Sequence, residues 1–271
     1  VDTLASWVGA SSIAVIMTGR QYEKGFYTAR ESAVIATNFS VVSIPFVFFT
    51  AQVAGIPDYF FPLYGSMIVV CFVCALITPM LPPLRAVPDQ YFASVGKQIS
   101  EDVPAGRRRA SWALQRALTV SGASPSPLAS LRRGIVSTVE IFLTMMPAAM
   151  TIEFIALVVY EHTPLLQWFT WPSIAVLEWM QIPEAAAVAP GLVVGLFDQF
   201  VPAIIAGSLE APVARFVLAG LSVTQLIFFA ESAILITRSA IPLSVPQLVG
   251  IFAIRTLIAL PMLTLLAHWI V

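Results

Sequence analysis

Leu221-Ser222-Val223-Thr224-Gln225-Leu226-Ile227-Phe228-Phe229-Ala230-Glu231-Ser232 sets two serines, a threonine, a glutamine and a glutamate inside the mostly apolar run from Val213 to Thr237. Hydrocarbon penalises each such group unless it finds a partner or lines a cavity. A segment of the same character, Thr37-Asn38-Phe39-Ser40-Val41-Val42-Ser43-Ile44-Pro45-Phe46, lies near the other end of the chain. The pair reads as two polar-studded helices facing each other across a solute site in a membrane protein.

Composition points the same way. With 58% hydrophobic and 11% charged residues and a mean hydropathy of +0.88, the chain is too apolar for a soluble domain of its size. The apolar residues fall in blocks of spanning length, so the expected fold class is an all-α polytopic membrane protein with about seven or eight membrane segments, some broken or re-entrant. The net charge of -1 gives no electrostatic case for nucleic acid as a partner. Cys71 and Cys74 form a C-x-x-C inside an apolar span and read as small packing residues on one helix face rather than a redox or metal pair. The chain opens on Val1-Asp2-Thr3 with neither an initiating Met nor a secretory signal, which reads as a fragment or as a chain whose upstream helices are missing.

In order, residues 4–18 are apolar but short and rich in Gly and Ser, as in a half-helix or re-entrant piece. Residues 19–30 form a wet loop, and Thr28 with Glu31 makes a capping box for a helix over 30–54 that Pro45 should kink. A turn at 54–58 leads to a span at 62–81. Residues 85–134 carry eight of the fourteen basic residues and read as a cytoplasmic linker, with Arg107-Arg108-Arg109-Ala110-Ser111-Trp112 either solvated or lying on anionic lipid. Further membrane segments are expected at 135–160, 164–181, 187–207, 213–237 and 245–269. The fourth-last of these carries Trp168, Trp171 and Trp179, and the one at 187–207 is broken by Gly191, Gly195, Asp198 and Pro202.

The two ends of the chain repeat one another. Ser40-x-x-Ser43 matches Ser222-x-x-Gln225, Gly55-Ile56-Pro57 matches Ala240-Ile241-Pro242, and Gly65 and Pro79 match Gly250 and Pro261 in the same order. The chain therefore divides into a first membrane repeat at 1–84, the linker at 85–134, and a second half at 135–271 that contains the second copy. The copies are inverted if 164–181 spans and parallel if it does not.

Arg30-Glu31-Ser32-Ala33-Val34-Ile35-Ala36-Thr37-Asn38-Phe39-Ser40-Val41-Val42-Ser43 resembles the YjiH-type bacterial membrane proteins that carry a nucleoside-recognition (Gate) domain. So do Pro183-Glu184-Ala185, Asp198-Gln199-Phe200-Val201-Pro202-Ala203, Leu221-Ser222-Val223-Thr224-Gln225-Leu226 and Arg255-Thr256-Leu257-Ile258-Ala259-Leu260-Pro261. The resemblance implies a multi-pass inner-membrane protein that handles a small solute, with nucleosides the named class. It also implies kinship with concentrative nucleoside transporters, ferrous-iron permeases and spore maturation proteins.

A nucleoside offers ribose hydroxyls and base edges, which neutral amides, hydroxyls and a carboxylate can read. Asn38, Ser40, Ser43, Ser222, Thr224, Gln225 and Glu231 supply that set, against the blander reading of Ser and Thr as back-bonded helix residues. On one continuous helix Ser222, Gln225 and Ser232 fall within about 80° of each other and Thr224 and Glu231 on nearly the opposite side, so they share a cavity only if the helix is unwound near the motif or surrounded by protein. Asp198 and Glu231 are the candidate sites for a coupling H⁺ or Na⁺, with pairing to Arg238 or Arg255 as the structural alternative. Asp198 is preferred because the broken helix beside Pro202 frees carbonyls that can join a cation's coordination. No catalytic constellation, cofactor motif or metal motif stands out, and an enzyme is not expected. The expectations are a transporter or permease subunit, a non-transporting Gate-domain scaffold or partner subunit, or a ferrous-iron-type permease. Expected partners are the lipid bilayer, the solute and a second copy or second Gate-domain subunit.

Overall fold

The computed structural model describes residues 11–38, 43–98, 108–122, 126–163 and 165–271. Among these residues every regular element is a helix, and one isolated bridge joins Thr28 to Tyr91. Helix α1 is Ser11–Glu23, longer at its C-terminal end than the wet loop expected from Gly19 onward. Helix α2, Ala29–Asn38, starts on the expected capping box: the Thr28 amide donates to Glu31 Oε2 at 2.8 Å and the Glu31 amide to Thr28 Oγ1 at 3.2 Å.

The single kinked helix expected over 30–54 is instead two. Helix α2 is described as far as Asn38, and α3, Ile44–Val53, starts afresh after an extended Ser43 with Pro45 in its first turn. Proline lacks an N–H, and the first turn of a helix has no intrahelical acceptor for one, so Pro45 opens a helix here rather than bending it. Gly55, at φ +71°, turns the chain into a short 3₁₀ turn at Pro57–Tyr59 and then α4, Phe60–Ile77, which ends in a second 3₁₀ turn at Thr78–Met80.

Helix α5, Arg109–Gly122, lies in the basic linker. Helix α6, Pro127–His162, begins before the boundary expected at 134/135, and α7 is Leu165–Trp179. The break expected within 187–207 is present, between α8, Ala185–Val194, and α9, Val201–Ser208. A break that was not expected interrupts the membrane segment read at 213–237. Helix α10, Pro212–Thr224, ends within the polar motif, and α11, Ser232–Arg238, resumes after seven irregular residues. Helix α12, Val245–Ile270, starts on a capping box between Ser244 and Gln247.

The helices Pro57–Met80 and Val245–Ile270 are long and apolar enough to cross a membrane, whereas Ile44–Val53, Ala185–Val194 and Pro212–Thr224 are apolar but shorter. Helix α10 forms the centre: every residue from Phe216 to Thr224 is buried. It packs on α4, α8 and α12 through Leu63, Met67, Val188, Leu192, Leu218, Leu221 and Leu263. Gly220 lets α12 approach, since a Cβ there would stand 2.7 Å from Leu263 Cδ2. Cys71 and Cys74 are free thiols buried on one face of α4, as the packing reading expects.

Candidate functional site

Three helix ends converge in the interior: the C-termini of α2, α8 and α10. A helix C-terminus leaves backbone carbonyls without an intrahelical donor, and inside a protein such carbonyls have to be met. The structure meets them in two ways.

The first is Arg255, on α12 and fully buried at 0% exposure. Its Nε and Nη2 donate to the Thr224 carbonyl at 2.9 and 2.6 Å, closing the end of α10. Its Nη1 donates to the Thr37 carbonyl at 3.2 Å and to Asn38 Oδ1 at 2.7 Å, closing the end of α2. Nη2 also faces Cys71 Sγ at 4.0 Å. One guanidinium therefore ties the ends of two broken helices to the long helix that carries it, and its bonds go to neutral oxygens rather than to Asp198 or Glu231.

The second is the pairing of the two irregular segments. The Phe229 and Ala230 amides donate to the Leu196 and Phe197 carbonyls at 2.8 and 2.9 Å, a short backbone ladder between the break after α8 and the break after α10. Leu226 takes a left-handed φ of +59° at the start of the second break, an unfavourable conformation for a bulky side chain. Ser232 Oγ secures that turn, donating to the Leu226 carbonyl at 2.7 Å and accepting from the Phe228 amide at 2.9 Å.

Against this frame the predicted residues divide. Asn38 is 1% exposed, and its polar atoms are all engaged: Oδ1 accepts from Arg255 and from Thr78 Oγ1 at 2.6 Å, and Nδ2 donates to the Val34 carbonyl and to Thr37 Oγ1. Ser222 and Thr224 donate their hydroxyls to the Ala219 and Gly220 carbonyls within α10, at 2.8 and 3.0 Å. This is the back-bonding that competes with a site role, and it leaves Thr224 facing the crossing with its carbonyl alone. Ser40 lies outside the described residues, and Ser43 sits half-buried at the N-cap position of α3, making no side-chain cap bond.

Gln225 is different. It is 0% exposed, and Nε2 donates to the Leu192 carbonyl at 3.1 Å and to Thr256 Oγ1 at 2.9 Å, joining the ends of α8 and α10 to α12. Among the described residues its Oε1 has no hydrogen-bond partner. Gln199, 6% exposed in the break after α8, holds the complementary orphan: a buried Nε2 with no acceptor among the described residues. Buried amides left half-satisfied cost on the order of 1–3 kcal/mol each.

Asp198 lies half-buried in the same break. Its Oδ1 accepts from the Phe200 and Val201 amides at 2.7 and 3.0 Å, serving the amide donors at the start of α9. Its other oxygen has no partner among the described residues. Glu231 sits half-buried at the start of α11. Arg255, Gln199, Thr256 and Thr78 were not among the predicted site residues. Only Arg255 carried a legible signal, as the single charge between Val245 and Ala267 in a long apolar helix. No group of three His, Cys, Asp or Glu side chains that could hold a metal comes together among the described residues.

No family model matches the chain, and no solved structure matches it. It is 42% identical over 268 residues to a protein of Alkalihalophilus pseudofirmus that is itself described only as uncharacterized. The alignment covers 99% of this chain and 58% of that relative, so the chain spans little more than half of the relative's length.

Proposed function

We propose that the chain is an integral, multi-pass bacterial inner-membrane transporter or permease subunit for a nucleoside-like or other small polar solute, coupled to H⁺ or Na⁺ through Asp198 or Glu231. The observation that carries this reading is the pair of orphaned amide atoms, Gln225 Oε1 and Gln199 Nε2, in the core where two helices are broken. A fold in which Asn38, Ser222 and Thr224 are all internally satisfied but these two atoms are not has acceptor and donor capacity held in reserve. A solute that offers a donor to Gln225 Oε1 or an acceptor to Gln199 Nε2, as the edge of a nucleobase does, draws on that capacity. Broken helices that meet in the interior are also how membrane transporters present polar backbone to a substrate. The same order of elements occurs at both ends of the chain, a broken helix pair (α2–α3, α10–α11) followed by a long apolar helix (α4, α12), and this supports an internal duplication.

A second reading, a non-transporting Gate-domain scaffold or partner subunit, draws on the same inventory. The closed bonding of Asn38, Ser222 and Thr224 is what a purely structural crossing needs. Thermal melting of the detergent-purified protein against nucleosides, nucleobases and amino acids separates the two. A ligand at about 100-fold over its Kd adds about 2.7 kcal/mol of stability. On the solute reading a nucleoside or nucleobase raises the melting temperature, and Gln225→Ala abolishes the shift. A folded protein that responds to no solute refutes this reading and leaves the scaffold.

A further inference from the structure

The environment of Arg255 is that of a bound cation. Among the described residues its hydrogen bonds go to no carboxylate. Its acceptors are two carbonyl oxygens at helix C-termini, one amide oxygen and a thiol sulfur, from α2, α10 and α4. A helix C-terminus carries roughly half a negative elementary charge. Two of them, at Thr37–Asn38 and at Thr224, together offset about one positive charge. Such a set of neutral oxygens between two negative helix ends is also what a desolvated monovalent cation requires. The guanidinium spends its five N–H donors on five contacts, so nothing is left over to bind a further ligand.

We propose that the crossing of α2 and α10 is a cation site that the protein fills from within, with Arg255 as the tethered cation. The long helix α12 delivers the charge, and an external cation takes the place only when the side chain is removed. Any ion that moves with solute then has to use another group, which leaves Asp198 and Glu231 for that part. The proposal does not rest on the solute reading, since the crossing needs its cation in a scaffold as much as in a transporter.

The test is thermal melting of full-length Arg255→Ala in detergent, in chloride salts of N-methylglucamine, sodium, potassium and low-millimolar guanidinium, beside wild type. N-methylglucamine is too large for the vacated space and sets the baseline. The expected result is a variant that melts well below wild type in N-methylglucamine and recovers part of the loss, saturably, in sodium, potassium or guanidinium. Wild type is expected to melt at the same temperature in N-methylglucamine, potassium and guanidinium, and any sodium shift it owes to Asp198 or Glu231 is expected to be smaller than that of the variant. A folded Arg255→Ala that responds to none of the three cations overturns the proposal, as does a wild type that responds equally. If Arg255→Ala does not fold in any salt, Arg255→Lys and Arg255→Met decide. A tethered ammonium that melts higher than the uncharged side chain, without dependence on the salt, supports the proposal. A Met variant as stable as the Lys variant overturns it.

Discussion

Gly195 offers a way to read the Gln225 amide without touching it. The glycine closes α8 at φ -54° and ψ -22°, a right-handed conformation that alanine adopts freely, so Gly195→Ala carries no backbone penalty. The cost is steric. A Cβ at residue 195 would overlap Gln225 Oε1, while its next neighbours are Gln225 Cδ and Pro202 Cγ, both at 3.3 Å. The amide has to swing away, breaking the Nε2 bonds to Leu192 and Thr256 and leaving the Leu192 carbonyl buried without that donor. At about 1 kcal/mol for each bond the expected loss is about 2 kcal/mol. In a Gln225→Ala background the obstruction is gone and only Pro202 remains close, so the same substitution should cost less than about 1 kcal/mol. Equilibrium unfolding of wild type, both single variants and the double variant in mixed micelles closes the cycle, with an expected coupling of about 1–2 kcal/mol. Additivity of the two single changes to within about 0.5 kcal/mol would refute the placement of the amide against Gly195.

Two other positions test the geometry. Asp198→Asn keeps the oxygen that serves the Phe200 and Val201 amides and should leave stability within about 0.5 kcal/mol of wild type, whereas Asp198→Ala should lose about 1 kcal/mol. If Asp198 is the coupling group, the Asn variant also loses gradient-driven uptake while keeping its melting temperature; an Asn variant as unstable as the Ala variant would show that the charge, not the cap, holds the segment. Gly207→Ala drives a methyl into the Val53 carbonyl, where only backbone can yield, and should destabilise by about 1–3 kcal/mol. Gly250→Ala on α12 meets nothing nearer than Pro83 Cδ at 3.7 Å and should stabilise by about 0.5–1 kcal/mol, so unfolding measurements that give the two changes the same sign would contradict the packing.

How far the sequence could be read depended on where each partner lay along the chain. Thr28 and Glu31 are three residues apart, and their capping box was legible because a local bond needs only local letters. The break at 195–200 was legible from Gly195, Asp198 and Pro202. The break after Thr224 was visible only as a condition: Thr224 and Glu231 point away from Gln225 on a continuous helix, so one cavity required unwinding or a surround of protein. The helix does unwind near the motif, from Gln225 onward, but no glycine or proline marks the place. The left-handed turn falls on Leu226, an ordinary apolar residue held by Ser232. Pro45 was ambiguous, since proline bends a helix from inside and begins one from its first turn. The role of Arg255 was not legible, because its acceptors on α2 lie 217 and 218 residues away and two of its partners are backbone carbonyls, which no letter of the sequence identifies.

The backbone ladder between Leu196–Phe197 and Phe229–Ala230 bears on how such a chain is assembled. The Leu196 and Phe197 carbonyls leave the ribosome some thirty residues before the amides that satisfy them. Hydrocarbon cannot supply a donor in the interval. On the membrane reading, α8 and α9 therefore cannot settle in the bilayer one at a time as finished spans. They have to stay in contact with water or with the insertion machinery until the segment around Phe229 arrives. The smallest piece that can be released into lipid is the whole run from α8 through α11, a unit of insertion defined by mutual backbone bonding rather than by the hydrophobicity of any one helix.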